Sequence, residues 1–227
     1  MRANVRQPEV EVLPPEPKQL GDARFRRLLS AIEWAELPEA VRRRFSHRSA
    51  PGEAHVYAGH VIETEMTGLG FVMAQVLRLI GAPLPLERGS EGAAAVVTVT
   101  ERPDGRGQFW TREYVRAHGF PQVIHSTKAF AGETGLEETV GCGVTMSLRL
   151  DVRRNALFFL SDRFFLKIGG WRVPIPGALF LGHISVGHID RGHGRFEFTL
   201  DVLHPWFGRL VHQRALFADL AVEGGAA

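Results

Sequence analysis

Val144-Thr145-Met146-Ser147-Leu148-Arg149-Leu150-Asp151-Val152 alternates apolar and polar residues without a break, and Arg195-Phe196-Glu197-Phe198-Thr199-Leu200-Asp201-Val202 repeats the pattern further along. In an extended chain successive side chains point to opposite faces, so each stretch is a strand with one buried and one wet face. Turn chemistry brackets both. Arg153-Arg154-Asn155 leads into a strand over Leu157–Ile168, and His204-Pro205-Trp206-Phe207-Gly208 leads into a last one over Arg209–Phe217. Upstream, Ala94–Glu101 and Gln108–Val115 flank Pro103-Asp104-Gly105-Arg106-Gly107, the signature of a hairpin. His55–Met66, Gln122–Phe130 and Ile184–Asp190 complete the strands, while Gly169-Gly170 and Pro174-x-Pro176 interrupt the pattern.

Helical periodicity is confined to the first third. Thr67 reads as an N-cap, and Leu69, Val72, Met73, Val76, Leu77 and Ile80 form one apolar stripe closed by Gly81 and Pro83. Shorter helices are expected over Asp22–Leu29 and Val41–Phe45. With no β-α-β repeat, a doubly wound α/β fold is excluded. A sheet of about eight or nine strands must curl to hide its apolar face. The expectation is a mainly β (α+β) fold: a large curled antiparallel sheet or lipocalin-like half-barrel, with one covering helix and short N-terminal helices. A helix-grip fold is the alternative. Residues 1–20, rich in proline, read as a flexible leader, 21–222 as a single β-rich domain and 223–227 as a frayed tail.

The chain has 227 residues, 44% hydrophobic and 23% charged, with a formal net charge of +2. So small a charge gives little long-range attraction for polyphosphate, which argues against a nucleic-acid partner. Cys142 is the only cysteine, so no internal disulfide forms, and a reducing compartment is expected. The first residues lack the apolar core of a signal peptide, and Leu69–Ile80 is too short to span a bilayer. The expected location is cytoplasmic.

Several segments together resemble a bacterial family catalogued as domain of unknown function 4166. They are Trp34-x-x-Leu37-Pro38, Tyr57-x-Gly59, Leu79-Ile80-Gly81-Ala82-Pro83-Leu84-Pro85, Trp110-x-Arg112, Glu138-x-x-Gly141, Val173-Pro174-x-Pro176, Gly194-Arg195-Phe196-x-Phe198-x-x-Asp201-Val202 and Pro205-x-x-Gly208-x-Leu210-Val211. The resemblance covers roughly residues 25–220. It implies a single β-rich domain of a kind often fused to saccharopine dehydrogenase-like domains, which makes a dehydrogenase-like protein a candidate partner. This chain has no Gly-x-Gly-x-x-Gly loop, so no nucleotide cofactor of its own is expected.

Chemistry-bearing residues are sparse. His183, His188 and His193 are spaced by five, which puts neighbours on opposite strand faces and argues against a metal site; His55 and His60 fail alike. Cys142, between two glycines, reads as a small buried cysteine, since no base beside it is visible to activate the thiol. Trp110 and Arg112 share one strand face, where a guanidinium can stack and still present a planar cation to a carboxylate such as Glu138. Arg195 and Asp201 share a face of another strand. These five are the candidate ligand-binding residues, against a surface cross-strand ion pair as the plainer reading. Phe158, Phe159, Phe164, Phe165 and Trp171 are apolar on both strand parities and suit a core or a hydrophobic pocket wall. Trp206 and Phe207, at a turn, suit a barrel mouth or partner interface. The function expected is binding of a small hydrophobic or lipid-like molecule. An isomerase or cyclase using the same cavity is an alternative, as is a docking module for an oxidoreductase acting through Arg42, Arg43 and Arg44.

Overall fold

A computed structural model describes residues 19–81 and 83–219; the leader up to residue 18 and the tail 223–227 lie outside them. Thirteen strands run in chain order: β1 Gln19–Gly21, β2 His47–Ser49, β3 Ala54–Met66, β4 Ala94–Glu101, β5 Gly107–Tyr114, β6 Gln122–Ala129, β7 Glu137–Thr139, β8 Val144–Arg153, β9 Ala156–Ile168, β10 Trp171–Ile175, β11 His183–Gly192, β12 Arg195–His204 and β13 Gly208–Asp219. β1 and β2 pair only with each other, so Gln19 and Leu20 are extended chain paired to Ser49 and Arg48.

The other strands form one antiparallel sheet in the order β10-β9-β11-β12-β13-β3-β4-β5-β6-β7-β8, and β8 pairs back onto β9. Ten of them therefore close a barrel, in line with the mainly β, large curled antiparallel sheet expected from about eight or nine strands. The short strands β7 and β10 escape a period-two reading because three to five residues do not establish alternation. Closure removes the edges of those ten strands and leaves β10 outside the ring as an added edge strand on β9. β9 serves two neighbours along one edge: Leu157–Leu160 pair with β11, and Phe164–Ile168 pair with β10. Register shifts at Met146/Leu148, Asp190/Gly192, Val202/Leu203 and Arg214/Ala215 supply the bends that closure demands.

The two ends of the barrel are closed differently. At the bottom, where the β4–β5 and β8–β9 turns lie, the N-terminal helices α1 (Ala31–Glu36) and α2 (Glu39–Arg44) seat Trp34 and Val41, and the chain flanking them seats Phe25, Leu37 and Phe45, against Leu148, Leu157 and Phe159. α1 starts on a capping box between Ser30 and Glu33. The expected helix over Asp22–Leu29 is only a 3-10 turn at Arg26–Leu28. At the top, β3 runs into α3 (Gly68–Leu77), capped by Thr67 as expected, and a 3-10 turn extends it to Ile80. α3 buries Gly70, Ala74 and Leu77 and leaves Val72 and Val76 more than half exposed. The apolar stripe is thus split: Leu69, Val72 and Val76 face outward, while Leu77 is buried and Met73 and Ile80 pack on the core. The reason is backbone proximity: a Cβ at Gly70 would collide with the Leu210 carbonyl, so the small-residue face is the one that can close on β13.

Candidate functional site

Inside the barrel, β5 directs Gln108, Trp110, Arg112 and Tyr114 inward, and β6 directs Gln122, Ile124, Ser126 and Lys128. Trp110 lies opposite Ser126, Arg112 opposite Ile124, and Lys128 opposite Glu138 on β7. This register gathers three charges in the middle of the lumen. Glu138 accepts from Lys128 Nζ at 2.6 Å through Oε2, and from Arg112 Nη2 at 3.0 Å and Ser126 Oγ at 2.6 Å through Oε1. Arg112 Nη1 also donates to Ser126 Oγ at 3.2 Å. The Lys128 ammonium lies 4.8 Å from the Trp110 ring centre and 5.5 Å from that of Phe159. The Lys128 and Glu138 side chains are each 5% exposed and that of Arg112 20%.

Burial alone would raise the Glu138 carboxyl, but the Lys128 and Arg112 charges and the hydrogen bonds from Lys128 and Ser126 outweigh it, holding the group well below the usual carboxylate range. Burial pushes the Lys128 amine down from 10.5 to about 8; Arg112 adds to the depression and Glu138 opposes it. The pair is therefore ionised at neutral pH. Burial also raises the Tyr114 phenol, against the pull of Arg112.

This cluster faces a void of about 100 Å³, otherwise walled by apolar side chains that include Ile124, Met146, Phe159, Val186, Phe198 and Leu200. A dry cavity of ~150 Å³ holds benzene, so the space takes a small head and little more without movement. A void of about 30 Å³ lies below it, bordered by Trp110 and Phe198 and lined by Arg44, His55 and His188; another of about 30 Å³ lies above, between Ile80, Val140 and Phe180. The roof of the central void is the strap Pro83-Leu84-Pro85. Gln122 latches it at two points, donating to the Leu84 carbonyl at 2.7 Å and accepting from Leu86 N–H at 3.1 Å. A wider groove of about 590 Å³ lies outside the barrel along β9 and β10. Its arginines are matched by acids, Arg163 by Glu133 and Arg172 by Glu137, so it offers no comparable charge.

Trp110, Arg112 and Glu138 are thus brought together in the lumen. Arg195 and Asp201 are not: the inward face of β12 carries Phe196, Phe198, Leu200 and Val202, so both point outward, where Asp201 meets His212 at 2.7 Å. Lys128 and Ser126 were not singled out in the sequence. The inward set Gln122, Ile124, Ser126, Lys128 is more polar than the outward set that includes Val123, so the alternation carries no apolar signal. Cys142 is exposed, not buried, in a tight turn at φ 55 beside Leu79. Among the described residues no group of three His, Cys, Asp or Glu could hold a metal. Arg44 is not a free surface cation; its side chain is 6% exposed, 3.7 Å from Asp190 and stacked on Phe196. The top rim is notably apolar, with Leu79, Phe120, Trp171, Leu179, Trp206 and Phe207 all at least 59% exposed.

A family profile described as "Domain of unknown function (DUF4166)" matches residues 37–217. No curated protein matches the chain significantly. Among solved structures, a crystal structure of a mutant of the fluorescent protein UnaG is similar at 12% identity, with 71% of this chain and 92% of that chain covered at a TM-score of 0.30, a likeness too weak to support any functional argument. No helix among the described residues is long and apolar enough to cross a membrane.

Proposed function

The chain belongs to the DUF4166 family, and for this member we propose that the barrel binds a small hydrophobic, lipid-like molecule in its lumen. The observation that carries this reading is the Arg112–Lys128–Glu138 cluster set in an apolar wall and facing a void. Ligand sites have this composition: apolar walls that bury the body of the guest and a few fixed polar groups that orient it. A purely structural ion cluster is a poor stabiliser, because desolvation offsets most of the Coulomb gain. The exposed apolar rim at the top supports the reading, as does the strap over the void, which buries Leu84 and Leu86 and is hydrogen-bonded to the barrel wall by Gln122 and to α3 by Gln75. A guest larger than the void would displace that strap. The company that related domains keep suggests a dehydrogenase-like protein as donor or recipient of the guest.

Native mass spectrometry of the protein isolated from its own cells, beside a denatured extract, tests this. The expected result is a non-covalent adduct of defined mass that is absent from Trp110→Ala protein. A clean apo mass under gentle conditions, together with no binding of 1-anilinonaphthalene-8-sulfonate to folded protein, would remove the proposal.

A further inference from the structure

Resting on the lumen as a binding site, we infer that its guest is a monoanion, an apolar chain or ring ending in one carboxylate received by Lys128 and Arg112. Among the residues lining the central void, three carry formal charge: Arg112 and Lys128 are positive and Glu138 is negative. Two positive charges against one negative leave one positive charge uncompensated, among side chains that are 5% to 20% exposed. An unpaired charge in such surroundings is strongly unfavourable, and one anionic guest group removes it.

The donor inventory agrees. A guanidinium has five N–H groups and an ammonium three. Within the lumen Arg112 uses one on Ser126 and one on Glu138, and Lys128 uses one on Glu138 and otherwise faces the rings of Trp110 and Phe159. Donors are in surplus and acceptors are short. A carboxylate brings two acceptor oxygens and a single charge. A neutral alcohol leaves the charge in place, an amine adds to it, and a doubly charged phosphate overshoots it.

Calorimetric titration with octanoate, octanol and octylamine at pH 7 in low-chloride buffer tests the inference. Octanoate is expected to bind about 10–100-fold more tightly than octanol, the range for hydrogen bonds to charged groups, and octylamine most weakly. Lys128→Met should abolish most of that preference with octanol binding kept, and Lys128→Arg should retain it. The charged groups facing Lys128 are Glu138 on β7 and Arg112 on β5. A bound carboxylate favours the protonated amine, so octanoate affinity should fall as pH rises past about 8, while octanol affinity stays flat. Should Lys128→Met fail to fold, the wild-type pH profile and Lys128→Arg decide. Equal affinity for octanoate and octanol, or a preference for octylamine, overturns the monoanion and leaves the hydrophobic site standing. If folded protein binds none of the three, both readings fall together.

Discussion

Replacing Glu138 by Gln keeps the shape of the side chain and removes the one negative charge among the lumen charges. Three hydrogen bonds of 2.6 to 3.0 Å converge on that carboxylate from Lys128, Ser126 and Arg112. Removing one member of a buried ion pair costs about 3–5 kcal/mol, since the partner is left charged and dry. Here two cations would be left, so Glu138→Gln should lie in that range. Lys128→Met leaves Arg112 and Glu138 as a balanced pair and gives the ammonium's place to an apolar side chain of similar length. Its cost should be only about 1–2 kcal/mol, the scale of one lost hydrogen bond. Urea unfolding followed by tryptophan fluorescence reads both changes as midpoint shifts. With a slope of about 3 kcal/mol/M, Glu138→Gln lowers the midpoint by about 1–1.7 M and Lys128→Met by less than about 0.7 M. In the double variant the two losses should fall short of their sum by at least about 1 kcal/mol, because the residues are in direct contact. A Lys128→Met variant less stable than Glu138→Gln would refute the charge accounting of the lumen.

Three further outcomes concern His188, Gln122 and Gly59. His188 is 2% exposed, and burial together with the Arg44 charge lowers its pKa well below the ordinary 6.5. The unfolded chain therefore binds more protons below that value, and stability should fall by up to about 1.4 kcal/mol per unit as pH drops below 6.5; His188→Phe should flatten this slope in urea titrations at stepped pH. Gln122→Leu removes both latches on the strap and should cost about 1–3 kcal/mol; hydrogen exchange at the Leu86 amide should quicken sharply, and unchanged protection there would show that packing alone holds the roof. Gly59→Ala would drive a Cβ into the Leu216 carbonyl of β13, so thermal unfolding should register a loss of about 1–3 kcal/mol or more, whereas an unshifted melting curve would mean that β3 can move aside.

Much of this arrangement was legible residue by residue. The alternation in β8 and β12 identified their apolar faces, although Thr145, Ser147, Glu197 and Thr199 on the faces expected to be wet are buried too, and Thr67 marked the start of α3. The pairing of Trp110 with Arg112 on one face followed from a separation of two. Some family-matching residues also gain a physical reason: Gly59 and Gly141 lie where a Cβ would strike the carbonyls of Leu216 and Ile80, so the chain needs glycine at both crossings. Failures occurred where local pattern and tertiary environment diverge. The α3 stripe was right in part: Met73, Leu77 and Ile80 pack on the core, while Val72 and Val76 turn outward because the small residues Gly70 and Ala74 form the face that approaches β13. Lys128 stayed hidden because a lumen lined with polar and apolar residues breaks the rule that the inward face is the apolar one. Cys142 was misplaced because Gly141 and Gly143 flank a turn at the top of the barrel, not a strand.

The sequence by itself left open which face of β5 points inward, but determined strand number to within the shortest elements, the alternation of β8 and β12 and the lack of a crossover α/β topology. These are properties of alternation and turn chemistry, which act over a few residues. Only the tertiary structure decided that β8 returns to β9 and closes the barrel, and that α1 and α2 block one end while an apolar rim and a latched strap form the other. Only it brought Lys128 opposite Glu138 and beneath Trp110. Lys128 and Glu138 pair across neighbouring strands only ten residues apart, but which face of that meander becomes the lumen is decided by closure, which no single strand encodes.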